Sequence, residues 1–166
     1  MKTSYSTTAN AITILILVAQ CFGASTASAE ERLPLSKGMY RLQGVCTRMN
    51  HWLSNETGVC ANRLGIDATD PALPQFIFPR TNGGGWIFVT SKPAVLTQEG
   101  NLATYQVSSI LDMTVKRGFA YEGECVLDMN SPNTSLTCTL WKDEERQHVS
   151  WDAQFTSGIW EFSRAQ

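Results

Sequence analysis

The stretch GECVLDMNSPNTSLTCTLW, residues 123–141, restricts the fold more than any other part of the chain. Around it, Phe119, Tyr121, Gly123, Cys125, Leu127 and Met129 fall on one face of a period-two pattern. Ala120, Glu122, Glu124, Val126 and Asp128 fall on the other. Further on, Leu136, Cys138 and Leu140 share a face opposed by Ser135, Thr137 and Thr139. Successive residues of a strand point to opposite faces, so this alternation marks two half-buried strands. Asn130, Ser131, Pro132 and Asn133 between them are all turn formers. Pairing Cys125 with Cys138 sets Leu127 opposite Leu136 and leaves those four residues as the loop. Both sulfurs then point to the apolar face from opposed positions. Cross-strand Cβ atoms lie about 4.5–5.5 Å apart, near the upper end of what a disulfide spans. Register, turn and polarity agree, so the stretch reads as a hairpin held by a disulfide and not as a chemical site.

Disulfides belong to oxidising compartments, and the N-terminus has the features of an export signal. Residues 11–19 (AITILILVA) form an apolar run, Lys2 is the one charge before Glu30, and Ala27-Ser28-Ala29 has the small residues of a cleavage site. Residues 1–29 are therefore expected to be a signal peptide, and residues 30–166 a single exported β-rich domain, periplasmic or extracellular. The apolar run is short of the about 20 residues that cross a hydrocarbon core. No later stretch approaches that length, so no transmembrane segment is expected after cleavage. Cys21 loosely matches a lipidation site, but Gln20 stands where a small residue is wanted, and a lipid anchor there is not expected. The remaining cysteines are Cys46, Cys60, Cys125 and Cys138. An even count points to two disulfides, and nearness in sequence favours Cys46–Cys60 with Cys125–Cys138 among the three pairings.

The rest of the exported part reads as strands between turns. Residues 38–46 alternate, with Tyr40, Leu42 and Cys46 on one face; residues 47–59 are expected to be a loop or one helical turn, and residues 67–74 a connection. Residues 75–78 and 86–90 flank a hairpin tip built on Asn82 and three glycines. Residues 95–97 and 102–107 flank another turn, with the second strand continuing so that Ala103, Tyr105, Val107, Leu111 and Met113 share a face. Val149, Trp151, Ala153 and Phe155 alternate with polar residues, and Ser157-Gly158 is expected to turn the chain into residues 159–163. The expected fold is all-β: a small antiparallel meander of about 8–10 short strands, closed as a barrel or packed as a sandwich. The βαβ alternation of a parallel sheet is missing.

Charge excludes some functions. After the leader, twelve basic and fifteen acidic residues remain, and Lys116-Arg117 is the longest basic run. No basic face for nucleic acid is visible, and for the same reason electrostatic attachment to anionic lipid is not expected. Metal knuckles usually space cysteines by two to four residues, unlike the cysteines here. A Cys46/His51/Cys60 set is conceivable but disfavoured by the compartment, so no metal and no cofactor are expected. The motifs of serine hydrolases, zinc proteases and nucleotide-binding loops are missing, and no catalytic set is assigned.

His148, with Glu145 and Asp152 nearby, supports at most a small hydrolase. Glu122 and Glu124 read as the wet face of a strand. Five tryptophans are many for this length, and Trp52, Trp86 and Trp141 are the candidates for a binding surface, since exposed aromatics on rigid β scaffolds grip proteins and sugars. The leading expectation is a non-enzymatic exported domain that binds a protein or saccharide partner, or a small ligand. It is inhibitor-like or lipocalin-like in size class only. A structural, envelope-associated subunit is the alternative.

Overall fold

The computed structural model of the protein describes residues 35–52, 54–97, 100–130, 134–142 and 149–163, with backbone alone at 149–150 and 158–163. Ten strands follow one another: β1 (Gly38–His51), β2 (Ser54–Asn55), β3 (Arg63–Ala68), β4 (Gln75–Pro79), β5 (Gly85–Thr90), β6 (Val95–Leu96), β7 (Leu102–Asp112), β8 (Arg117–Asp128), β9 (Thr134–Trp141) and β10 (Val149–Ser163). Eight of them pair antiparallel in the order β1, β3, β4, β5, β7, β8, β9, β10, and β10 returns to pair with β1. The result is a closed up-and-down barrel, which leaves no open sheet edge. The short β2 and β6 add to β1 and β7. The end at which β1 finishes is called the upper end below. It carries the β1–β3 connection, the β4–β5 loop and the β7–β8 turn.

The hairpin of β8 and β9 has the register its alternation predicts. Cys125 faces Cys138 and Leu127 faces Leu136, and the two cysteines are bonded. The second disulfide joins Cys46 to Cys60. It fixes β1 to the segment leading into β3, which runs between β1 and β4: Gly44 donates to the Asn62 carbonyl, Ala61 to the Pro79 carbonyl and Thr81 to the Val59 carbonyl.

Four sequence expectations need correction, three of them at β-bulges. Residues 47–51 are strand, not loop: β1 continues past a register shift between Cys46 and Arg48, and buries Met49 against β10. Residues 67–68 are not part of the connection but end a strand, Arg63–Ala68, whose Leu64, Ile66 and Ala68 alternate inwards. Ser108 is an extra residue between Val107 and Ser109, so the inward face of β7 changes parity there. Ile110 is buried and Leu111 is exposed, the reverse of the simple alternation. Gly158 is likewise a bulge, not a turn: Gly44 pairs with Ser157 and Gln43 with Ile159, and β10 runs on unbroken. A bulge adds one residue to one strand, bends it and increases its twist, which a closed barrel requires at its corners.

Side chains fill the barrel. Phe76, Phe78, Trp86, Phe88, Tyr105 and Phe155 are fully buried among Leu42, Leu64, Ile66, Leu127 and Leu140. Phe78 meets Phe88 edge-on at 5.1 Å, and Phe76 meets Tyr105 at 5.3 Å. Outward positions carry Arg41, Gln43, Thr104, Gln106, Glu124, Thr137 and Thr139. Ile77, Ile87, Val89 and Val126 also face outwards, interspersed with these polar residues, whereas the lipid-facing band of a membrane-spanning barrel is continuously apolar. Among the described residues no helix is long and apolar enough to cross a membrane.

Among the described residues three buried side-chain atoms lack a hydrogen-bond partner: Arg80 Nε, Trp151 Nε1 and the Tyr105 hydroxyl. Burial pushes the Tyr105 phenol pKa well up, and the neighbouring Tyr40 adds to the shift. An unsatisfied buried hydroxyl costs about 1–3 kcal/mol in lost hydration. Tyr105→Phe keeps the ring and removes that cost. The variant is expected to be more stable than the parent by about 1 kcal/mol, read as a higher urea midpoint with unchanged slope. A lower midpoint would mean that the hydroxyl holds a buried water.

Candidate binding surface

The upper end of the barrel is closed by aromatic rings and one arginine. Trp151 of β10 sits opposite His51 of β1, and the two rings stack at 4.1 Å with an interplanar angle of 18°. Trp86, an inward residue of β5, meets Trp151 edge-on at 5.5 Å, and Phe88 meets it at 5.9 Å. Arg80, in the β4–β5 loop, lays its guanidinium over the Trp86 ring at 4.1 Å. It donates from Nη1 to Thr114 Oγ1 at 3.1 Å and from Nη2 to Glu56 Oε2 at 3.4 Å. A cation held over an indole face is attracted by the ring quadrupole, more strongly where water is excluded. Arg80 therefore covers the core and ties the β7–β8 turn to the segment after β2. Burial lowers the His51 pKa below its ordinary value; Glu56 and Asp112 oppose that shift, and Arg80 adds to it. At neutral pH the imidazole thus stacks on Trp151 as an uncharged ring.

This arrangement removes Trp86 from the expected surface. Its indole is 1% exposed, beneath Arg80. Every residue of residues 86–89 is apolar, so polarity could not show which of them face inwards.

Trp52 and Trp141 are linked instead, through Lys142. Trp52 follows the last residue of β1, has a left-handed backbone (φ 55°) and is 56% exposed. The Lys142 ammonium lies 4.6 Å from the centre of its ring. Trp141 ends β9, half-buried on the outer wall, with Glu122 of β8 as its cross-strand partner. Lys142 and Glu122 in turn border an outer groove of about 500 Å³ whose other polar walls are Ser91, Lys92, Gln106 and Ser108. The β7–β8 bulge forms this groove. Ser108 has no cross-strand partner, nor have Tyr121 and Glu122 on the β7 side, so the wall of the barrel dents there. Sequence reading missed Lys92, Gln106 and Ser108 as wall residues. The usable trace was the three-residue gap between Val107 and Ile110, which breaks the alternation and marks a bulge.

Asp152 faces outwards in an ion pair with Arg48, Nε to Oδ2 at 2.8 Å. His148 and Glu145, like the proposed signal peptide and Cys21, lie outside the described residues. Glu124 faces outwards between Gln106 and Thr139. Cys46 and Cys60 are joined to each other, so a Cys46/His51/Cys60 ligand set has no free thiolates. Compared with protein-family models, with curated proteins and with solved structures, the chain matches none.

Proposed function

We propose that this chain is an exported, non-enzymatic domain that binds a protein or saccharide partner on the outer wall of its barrel. The observation that carries this reading is the packing of the interior. An eight-stranded barrel has room either for its own side chains or for one small ligand. Here aromatic side chains from β4, β5, β7 and β10 occupy that room. Recognition is then left to the outside, where Lys142, Glu122 and Lys92 border one groove and the exposed Trp52 ring lies against Lys142. An exposed indole covers a sugar ring or an apolar side chain at little entropic cost. Two lysines against one glutamate favour a partner that carries carboxylates, either an acidic saccharide or an acidic protein segment. The two disulfides fit the oxidising compartment in which such a domain would work.

The test is a double charge reversal, Lys92→Glu with Lys142→Glu, in the full exported chain. Both lysines are exposed, so the unfolding midpoint should stay within about 0.5 kcal/mol of the parent value. Binding to an array of acidic oligosaccharides, and capture of partners from the envelope fraction, should fall by roughly tenfold or more. Unchanged binding in both assays would move the site away from the groove.

A further inference from the structure

The β7–β8 hairpin has a different character from the groove below it. Among the described residues six large apolar side chains are exposed, and three of them belong to residues 111–119: Leu111 at 39%, Val115 at 62% and Phe119 at 40%. They do not share a face. Leu111 points outwards, with Gly118 and Ile87 as its cross-strand partners. Phe119 lies opposite the buried Ile110, on the face that lines the core lower down. The register of β9 on β8 begins at Glu122, so β9 does not flank Phe119, and a residue of core parity is left in solvent. Val115 occupies the turn between them. A flat protein surface would cover one face of such a hairpin. A medium that surrounds it covers both faces and the tip.

The charges around the hairpin point to the chemistry of that medium. Lys116 and Arg117 are exposed beside the apolar tip, and the Arg117 guanidinium lies 5.5 Å from the Phe119 ring centre. Asp112 is the one carboxylate in residues 111–119, and the turn itself uses it: it accepts from the Thr114 amide at 2.8 Å and the Val115 amide at 3.4 Å. The tip is also held in place. Met113 donates to the Gly85 carbonyl at 2.9 Å, and Arg80 holds Thr114. It is a preformed apolar wedge with two cations and no free acidic group on it.

We propose that this hairpin docks the barrel on a bilayer surface rich in anionic phospholipid. Leu111, Val115 and Phe119 enter the boundary between headgroups and acyl chains, and Lys116 and Arg117 reach the headgroup phosphates. Apolar insertion supplies most of the affinity, because two basic residues alone hold a protein to a membrane only weakly. Long basic side chains suit this place, since their stems lie along apolar surface while the charge stays in the polar layer. The binding is reversible and peripheral, and it is independent of the groove between Lys92 and Lys142.

The test is flotation of the full chain with vesicles of phosphatidylcholine plus phosphatidylglycerol, and with vesicles of phosphatidylcholine alone. The parent should float with the anionic vesicles, and more weakly as salt rises. Val115→Asp, at an exposed turn position that leaves the unfolding midpoint unchanged, should lower the bound fraction roughly tenfold or more. Lys116→Glu with Arg117→Glu should abolish the preference for anionic vesicles. The proposal is overturned if the parent floats with neither vesicle, if it binds both equally, or if Val115→Asp binds as the parent does. It is equally overturned if Val115→Asp abolishes capture of a protein partner while vesicle binding persists, since the hairpin would then be a protein-docking wedge.

Discussion

Alanine at Gly123 or at Gly44 will destabilise the barrel by on the order of 3 kcal/mol or more, whereas alanine at Gly58 will change it by less than about 1 kcal/mol. Both sensitive glycines lie in strand interiors, where glycine ordinarily weakens a sheet. Their presence follows from what sits above the missing side chain. A Cβ on Gly123 would collide with the Thr139 carbonyl oxygen and stand 2.6 Å from Leu140 Cα. On Gly44 it would collide with the Thr156 carbonyl oxygen and stand 2.8 Å from Ser157 Cα. These are backbone atoms of a paired strand, so relief requires moving the strand and not rotating a side chain. Each glycine borders a bulge, Gly123 at the β7–β8 dent and Gly44 at the shift on β10. Gly58 has no atom within 4 Å of the position a Cβ would take. Urea midpoints of the three variants check the contrast. Were Gly123→Ala to unfold at the parent midpoint, β9 could not cross β8 as closely as the structure has it.

The same bulges decide how much of the fold could be read from residues alone. The Cys125–Cys138 hairpin was fully legible, because alternation, turn residues and cysteine spacing are local properties that all required one register. The parity of residues 108–113 was not. Period-two counting carries on through Ser108, whereas the bulge there depends on how β5 and β8 pair with β7, which are non-local relations. Gly158 was misread for the same reason: a glycine after a serine looks like a turn until the partner strand is known. The groove was less legible still. Lys92, Gln106, Glu122 and Lys142 come from four separate segments, and closure of the barrel brings them to one dent. The link between Trp52 and Lys142 joins a turn after β1 to the end of β9, which no spacing rule connects. Trp86 was misplaced because its neighbours are uniformly apolar, so its buried position follows from pairing and not from pattern.

Removing the Cys46–Cys60 bridge by double substitution to alanine will lower stability by about 3 kcal/mol, and removing Cys125–Cys138 the same way will lower it by less. The bridges close chain segments of almost equal length, with sequence separations of 14 and 13. Loop-closure entropy alone therefore assigns them nearly the same value. The difference comes from what each bridge joins. Cys125 and Cys138 face each other across a hairpin whose turn and alternation already favour that pairing, so the unfolded chain retains part of the constraint after the bridge is lost. Cys46 lies within β1, and Cys60 lies on the segment that leads into β3 and bonds to Pro79 and Thr81. The turn between those two forms only the two β1–β2 pairs before the Thr57–Val59 helical turn interrupts the ladder, so less of the constraint persists in the unfolded chain. The segment leading into β3 follows Glu56, which holds Arg80 over Trp86, so the Cys46–Cys60 variant should also loosen the aromatic cap. The expected signature is an added loss of near-ultraviolet tryptophan dichroism, seen with this variant and not with the Cys125–Cys138 variant. Chemical denaturation of the two double variants, with free-thiol assay of the parent to confirm both bridges, provides the measurement. Equal losses would mean that the β8–β9 hairpin has no residual order in the unfolded chain. A larger loss for Cys125–Cys138 would mean that the segment leading into β3 contributes little to closing the barrel.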